Sequence, residues 1–128
     1  MATRTKATRK PAGASALVSS PRGRTMLALR SRLKLNREVF ARMLPISTRS
    51  LATIESGAAP SEAVTRRLTE VDRIVDALTE VISPQAIGEW LTTPNGAFDG
   101  SKPVEIIERG EVDRIWRMIF LLRSGAAG

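Results

Sequence analysis

Arg49, Thr48 and Thr53, with Ser47 just upstream, put a cation and several hydroxyls on one short stretch of chain. Those groups do not break bonds. They bind anions: a guanidinium can pair with two acceptors at once, and hydroxyls and helix-terminal N–H groups reach phosphate oxygens. The residues that would support catalysis are missing. The sequence has no His and no Cys, which removes thiol chemistry, Ser–His relays, disulfides and most metal sites together. Carboxylates remain, but they are spread along helical segments, and there is no glycine-rich phosphate loop. An enzyme is not expected, and neither is a cofactor.

Charge points the same way. The 128 residues carry a net charge of +7. Residues 1–50 hold 12 Lys or Arg against one acid, Glu38, which is +11; residues 51–128 hold 8 bases against 12 acids, which is −4. A chain divided in this way suggests a polyanion for its basic half. Residues 1–23 are rich in Thr, Ser, Ala, Gly and Pro and contain Arg4, Lys6, Arg9, Lys10 and Arg22 without an acid. They read as a disordered basic arm, a composition that also suits a mitochondrial transit segment. No apolar run is long enough for a membrane span.

The elements that must position these groups are helices. Met26, Leu27, Arg30 and Leu33 suggest a first helix ending near Lys34–Leu35. Asn36 caps a second over Arg37 to Leu44, with Val39, Phe40, Met43 and Leu44 on its apolar side. Ser47 caps a third over Thr48 to Ser56, which Gly57 stops. Ala41 is small at mid-helix, and Leu51 ten residues on and Ile54 three further are the aliphatics that a close crossing requires. Leu44 and Ile46 would anchor the turn, with Ser47 and Ser50 behind the inward face of the third helix. Thr48, Arg49, Ala52, Thr53 and Ser56 then face outward. This is a helix-turn-helix pattern, with Arg49 placed to read a base edge in a major groove and Ser47 and Thr48 to meet phosphates. Arg37 and Arg42 on the preceding helix, with Arg30, Arg32 and Lys34, would flank the site with phosphate contacts.

Beyond Pro60 and Ser61, a long helix is expected over roughly Glu62 to Ile82. Val64, Leu68, Val71, Val75, Leu78 and Ile82 form a heptad-like seam. A short helix follows with Ile87, Trp90 and Leu91. A turn-rich stretch comes next, with Pro94 and Asn95, then a helix from Pro103 to Arg109 and a last one from about Glu111 to Arg123. Trp90 reads as a core anchor and Asn95 as a turn residue bonding local backbone. In the last helix Val112, Ile115, Trp116, Ile119 and Leu122 make an apolar stripe, and Met118, Phe120 and Leu121 lie off it. A helix apolar on every side seeks burial on every side, and a domain this small covers one. The remainder is expected to meet another chain, either a second copy or a partner, with Trp116 or Phe120 as anchor. The fold expected is all-α: a helix-turn-helix at 24–70, joined by the long helix to a small helical domain at 71–128.

Two resemblances add to this. Phe40 to Ser47, with Ile54-Glu55-x-Gly57, resembles the Cro/Xre helix-turn-helix family, whose turn usually holds a glycine, often at positive φ. Pro45 stands there instead, so the turn is expected to be built differently. Ala77-Leu78, Glu89-Trp90-Leu91, Pro94-Asn95, Lys102 to Ile107 and Gly110-Glu111 resemble the toxin-binding domain of Xre/MbcA/ParS-type antitoxins. That resemblance implies a type II antitoxin whose partners are a cognate RES-type, NAD-consuming toxin and operator DNA. It implies a homodimer or a larger hetero-oligomer with the toxin, and a cytoplasmic location without membrane contact. It also implies that Arg123 and the tail from Ser124 and Gly125 to Gly128 enter the toxin's cleft. The alternative is a stand-alone helix-turn-helix regulator with a C-terminal dimerisation domain.

Overall fold

The computed structural model describes residues 21–125; the arm over residues 1–20 and the end of the tail lie outside the described residues. Seven α-helices account for the architecture, and among the described residues there are no strands. They are α1 (Pro21–Leu33), α2 (Arg37–Met43), α3 (Thr48–Glu55), α4 (Glu62–Leu78), α5 (Ile87–Leu91), α6 (Pro103–Glu108) and α7 (Val112–Arg123). Two single 3₁₀ turns, Pro84–Ala86 and Gly96–Phe98, precede α5 and α6. No helix among the described residues is long and apolar enough to cross a membrane.

Local chemistry sets most of the boundaries. Asn36, Ser47 and Ser61 each accept a backbone N–H three residues on, satisfying a donor that the first turn leaves unpaired. Pro103 opens α6, where Glu105 reaches back to the Lys102 N–H at 2.8 Å. That bond holds the Glu105 carboxyl below its ordinary range. Helix α1 starts at Pro21, inside the stretch read as arm, because proline's fixed φ and missing N–H suit the first helical position. Helix α4 stops at Leu78 rather than Ile82. Pro84 holds Ser83 extended (ψ 131), and the Ile82 N–H closes a last turn on the Leu78 carbonyl at 2.8 Å.

The core is continuous from Met26 to Ile119. The seam of α4 is buried from Val64 to Leu78 and is wider than the heptad reading, because Ile74 and Ala77 are buried with it. On α1 the inward face is Met26, Leu29 and Leu33, and Leu27 is 39 % exposed. A step of three or four from Met26 reaches Leu29 and Leu33 but turns Leu27 outward. Ala41, Leu51 and Ile54 are buried as their spacing requires. Ser47 and Ser50, expected on the inward face of α3, are exposed instead, and the Ser47 hydroxyl caps the Ser50 N–H. Pro45 also corrects an expectation: it sits at φ 22, so the turn keeps a positive-φ backbone despite the proline.

The two halves interlock. Helix α2 packs on both α3 and α6, and α4 packs on α1 and α7. Arg67 on α4 donates to the carbonyls of Met43 and Ile107 at 3.1 and 2.9 Å, so one guanidinium closes the C-terminal ends of α2 and α6. Helix α5 crosses the end of α1 at Gly88. A Cβ there would lie 2.1 Å from the Leu33 carbonyl oxygen, so only glycine permits the approach. Phe98, inside the stretch read as turn, is 2 % exposed. Trp90 is half-buried and meets the Phe98 ring edge-on at 6.3 Å. Asn95 accepts from the Ala97 N–H at 2.9 Å, as expected of a local turn residue.

Candidate functional site

Two surfaces collect the residues singled out from the sequence. The first is the outer side of α3. Thr48, Arg49 and Thr53 are exposed there beside Ser47, while Leu51 and Ile54 fix the helix from below. Thr53 and Ser56 return their hydroxyls to carbonyls one turn back, at 3.0 and 2.9 Å. Among the described residues the Arg49 guanidinium has neither an ion pair nor a hydrogen bond, so it is available.

The other candidate cations differ. Arg37 Nε donates to Glu55 at 2.8 Å, and Arg30 holds the same carboxylate through Nε and Nη2 at 2.6 and 3.1 Å. The Glu55 side chain is only 3 % exposed. Burial pushes its carboxyl up, but the bonds from Arg30 and Arg37 outweigh that and hold it below the ordinary range. Arg42 lies against Glu108 at 2.8 Å and Glu105 at 3.8 Å, clamping α2 to α6, and the Glu108 bond raises the guanidinium's pKa further. Arg37 and Arg42 thus have internal partners, and Arg49 does not. Glu55 stands in the sequence motif, but its role as the shared partner of Arg30 and Arg37 becomes visible only in the fold.

The second surface is the end of α7. Ile115 and Ile119 are fully buried, and Trp116 and Met118 are half-buried against the core. Phe120 is 65 % exposed, and Leu121 and Leu122 are about as exposed as Leu27, at 39 % and 40 %. Leu122 therefore leaves the stripe on which the sequence placed it: α7 runs past the edge of the core in its last turn. Arg123 turns back to Glu80 at 2.8 Å, pinning that turn to the end of α4. Ser124 and Gly125 are exposed, with Gly125 at φ 74 closing the helix. The structure brings Phe120, Arg123, Ser124 and Gly125 together at one tip, with Trp116 one turn back. Among the described residues no cluster of acidic side chains could hold a metal ion.

The chain is similar to known proteins in both sequence and fold. The mycobacterial cidal antitoxins MbcA of Mycobacterium tuberculosis H37Rv and Mycobacterium bovis are each 30 % identical to this chain over 95 residues, which is 73 % of this chain and 84 % of theirs. The chain belongs to the MbcA antitoxin family. A crystal structure of the M. tuberculosis MbcT–MbcA toxin–antitoxin complex contains a chain that superposes on this one with a TM-score of 0.67. The identity is 26 %, over 83 % of this chain and 96 % of that chain. No protein-family model matches the chain.

Proposed function

We propose that this protein is the antitoxin of a type II toxin–antitoxin pair, which neutralises a RES-type, NAD-consuming toxin by direct binding at the tip of α7. The observation that carries this is the apolar end of that helix. Phe120, Leu121 and Leu122 stand out from an otherwise well-packed core, next to a short tail. An exposed aromatic with aliphatic neighbours is the composition of an interface anchor. Membership of the MbcA family makes a toxin the partner. Arg123, Ser124 and Gly125 lead the tail into the toxin's cleft.

The same protein represses its own operon through α2 and α3, acting as a helix-turn-helix. Arg49, with its unengaged guanidinium beside Thr48 and Thr53, supports this reading. Pro45 leaves the packing of the motif in place, since Ala41, Leu51 and Ile54 are buried as a close helix crossing requires. Residues 24–70 then serve DNA and residues 71–128 serve the toxin, on one shared core.

Co-expression with the toxin encoded beside it tests the neutralisation. The intact protein should restore growth and NAD levels. Deleting Ser124–Gly128 should reduce protection while leaving operator binding largely intact. Phe120→Asp should weaken the complex more, because it would bury an unpaired charge; circular dichroism checks that both variants fold. An intact protein that neither binds its neighbour's product nor restores growth defeats the proposal. On the DNA side, Arg49→Ala should cost ~1–3 kcal/mol of base discrimination in gel shifts at fixed salt.

A further inference from the structure

Between the α2–α3 turn, α4 and α7 lies an open groove of about 960 Å³ that neither proposed activity uses. Leu44, Ile46 and Val64 contribute an apolar floor, Arg66 and Arg73 a cationic rim, and Trp116 the facing wall. Arg66 and Arg73 are seven residues apart, two turns along one side of α4. Arg73 is exposed and, among the described residues, its guanidinium has neither an ion pair nor a hydrogen bond. Arg66, 70 % exposed, meets only Glu62 at 3.7 Å, an i,i+4 surface pair that holds its partners weakly. The third arginine in the groove, Arg67, is fixed on the carbonyls of Met43 and Ile107. Glu70 also lines the groove and lies 4.0 Å from Arg67, so the rim sets one carboxylate against three arginines, of which Arg66 and Arg73 lack firm counter-charges, beside an indole and an aliphatic floor.

We propose that this groove seats an acidic segment of the cognate toxin, with an apolar side chain among its carboxylates. The inference rests on the antitoxin reading and adds a second point of attachment to it. Charge complementarity sets the sign of the partner, and the floor sets its kind. A phosphodiester backbone needs cations but has no use for Leu44, Ile46 and Val64, whereas a peptide places carboxylates on the rim and an apolar side chain below. Trp with Arg is also the pairing enriched where proteins bind one another. The groove is continuous with the tip of α7. Trp116 stands beside Thr69 and Arg73, and Arg123 reaches Glu80, so α4 and α7 run side by side in one direction. A chain held at Phe120 therefore has the groove within one turn of helix.

The double variant Arg66→Glu, Arg73→Glu tests this in the full-length protein, because both side chains are exposed and circular dichroism can check the fold. Titration calorimetry against the cognate toxin at two salt concentrations should show affinity weakened at least about tenfold and a flatter salt dependence, since like charges would now face each other. Each single change should give part of the loss, and operator affinity in gel shifts should be unchanged. Wild-type affinity and salt dependence in the double variant would overturn the groove while leaving toxin binding intact. Loss of operator affinity with toxin binding unchanged would overturn it in favour of nucleic acid. A wild-type protein that binds no toxin would bring down the antitoxin reading and the groove with it.

Discussion

Glu55 shows how one buried charge orders the neighbourhood of the outer α3 surface. Its carboxylate takes three bonds from Arg30 and Arg37, and Arg30 also donates to the Leu35 carbonyl at 3.1 Å. The three groups tie α1, α2 and the end of α3 into one corner, which holds Arg49 in position without touching it. Because Glu55 is depressed in the folded state, its contribution is fully present above the ordinary carboxylate range and is lost as the pH falls through the folded value. Glu55→Gln keeps the shape and removes the charge. It should cost roughly 1.5–3 kcal/mol at pH 7, the range for hydrogen bonds to a charged group. Urea melts of the wild type and variant should converge as the pH is lowered below the folded value of Glu55. A difference that persists undiminished in acid would show that the carboxylate's charge is not what stabilises this corner.

At the level of elements, the α2–α3 turn is where sequence and structure pull against each other. Among the described residues five α-helices end with a residue at positive φ at or just past the cap: Lys34, Pro45, Gly57, Gly110 and Gly125. In four of them that residue's N–H closes a tight turn, as Gly57 does on the Ile54 carbonyl at 3.0 Å and Gly110 on Ile107 at 2.9 Å. At the end of α2 only the outer bond survives, from the Ile46 N–H to the Ala41 carbonyl at 3.2 Å, because proline has no N–H to give. The helix pair fixes the path of the chain through Ala41, Leu51 and Ile54, and Pro45 has to follow it. Pro45→Gly should therefore stabilise the protein. Relief of strain is worth on the order of 1–3 kcal/mol, against ~0.4–1 kcal/mol of extra chain entropy in the unfolded state. The check is the thermal midpoint, which should rise by several degrees; a fall would mean that the turn is not strained.

Helix number, order and caps were legible because each depends on a few local residues: Asn36, Ser47, Ser61, Pro103 and Gly110 all act where the sequence placed them. The misreadings came from groups whose partners are distant. Arg30 and Arg37 looked like free cations until Glu55 closed on them across the fold. Phe98 looked like part of a loop until Trp90 and the guanidinium of Arg114, 5.7 Å from its ring, packed around it. Gly88 gave no sign of its contact with Leu33. Periodicity locates a face along one helix; it does not say what faces it.

For the whole molecule, the consequence is that the proposed DNA-binding and toxin-binding halves share one stability. The buried side of α2 packs on α6 as well as on α3, Arg67 bonds the ends of α2 and α6 together, and Arg42 reaches across to Glu108 at 2.8 Å. Cutting the chain after α4 would strip α2 of α6 and α4 of α7, and would leave a unit whose size makes its own core marginal. A fragment ending at Leu78 should lack a cooperative thermal transition, whereas the full chain should unfold in one step, with helicity and tryptophan fluorescence lost together. Trp90 and Trp116 both lie beyond α4, so fluorescence reports on the C-terminal half, while helicity reports on both. A fluorescence transition displaced from the circular-dichroism transition, or a fragment that melts sharply and binds the operator, would show two independent domains. If the transition is single, toxin bound at the tip of α7 must stabilise α2 and α3 as well. At a free toxin concentration a hundredfold above its Kd that stabilisation is about 2.7 kcal/mol, and it should appear as slower hydrogen exchange at the most protected amides of α2.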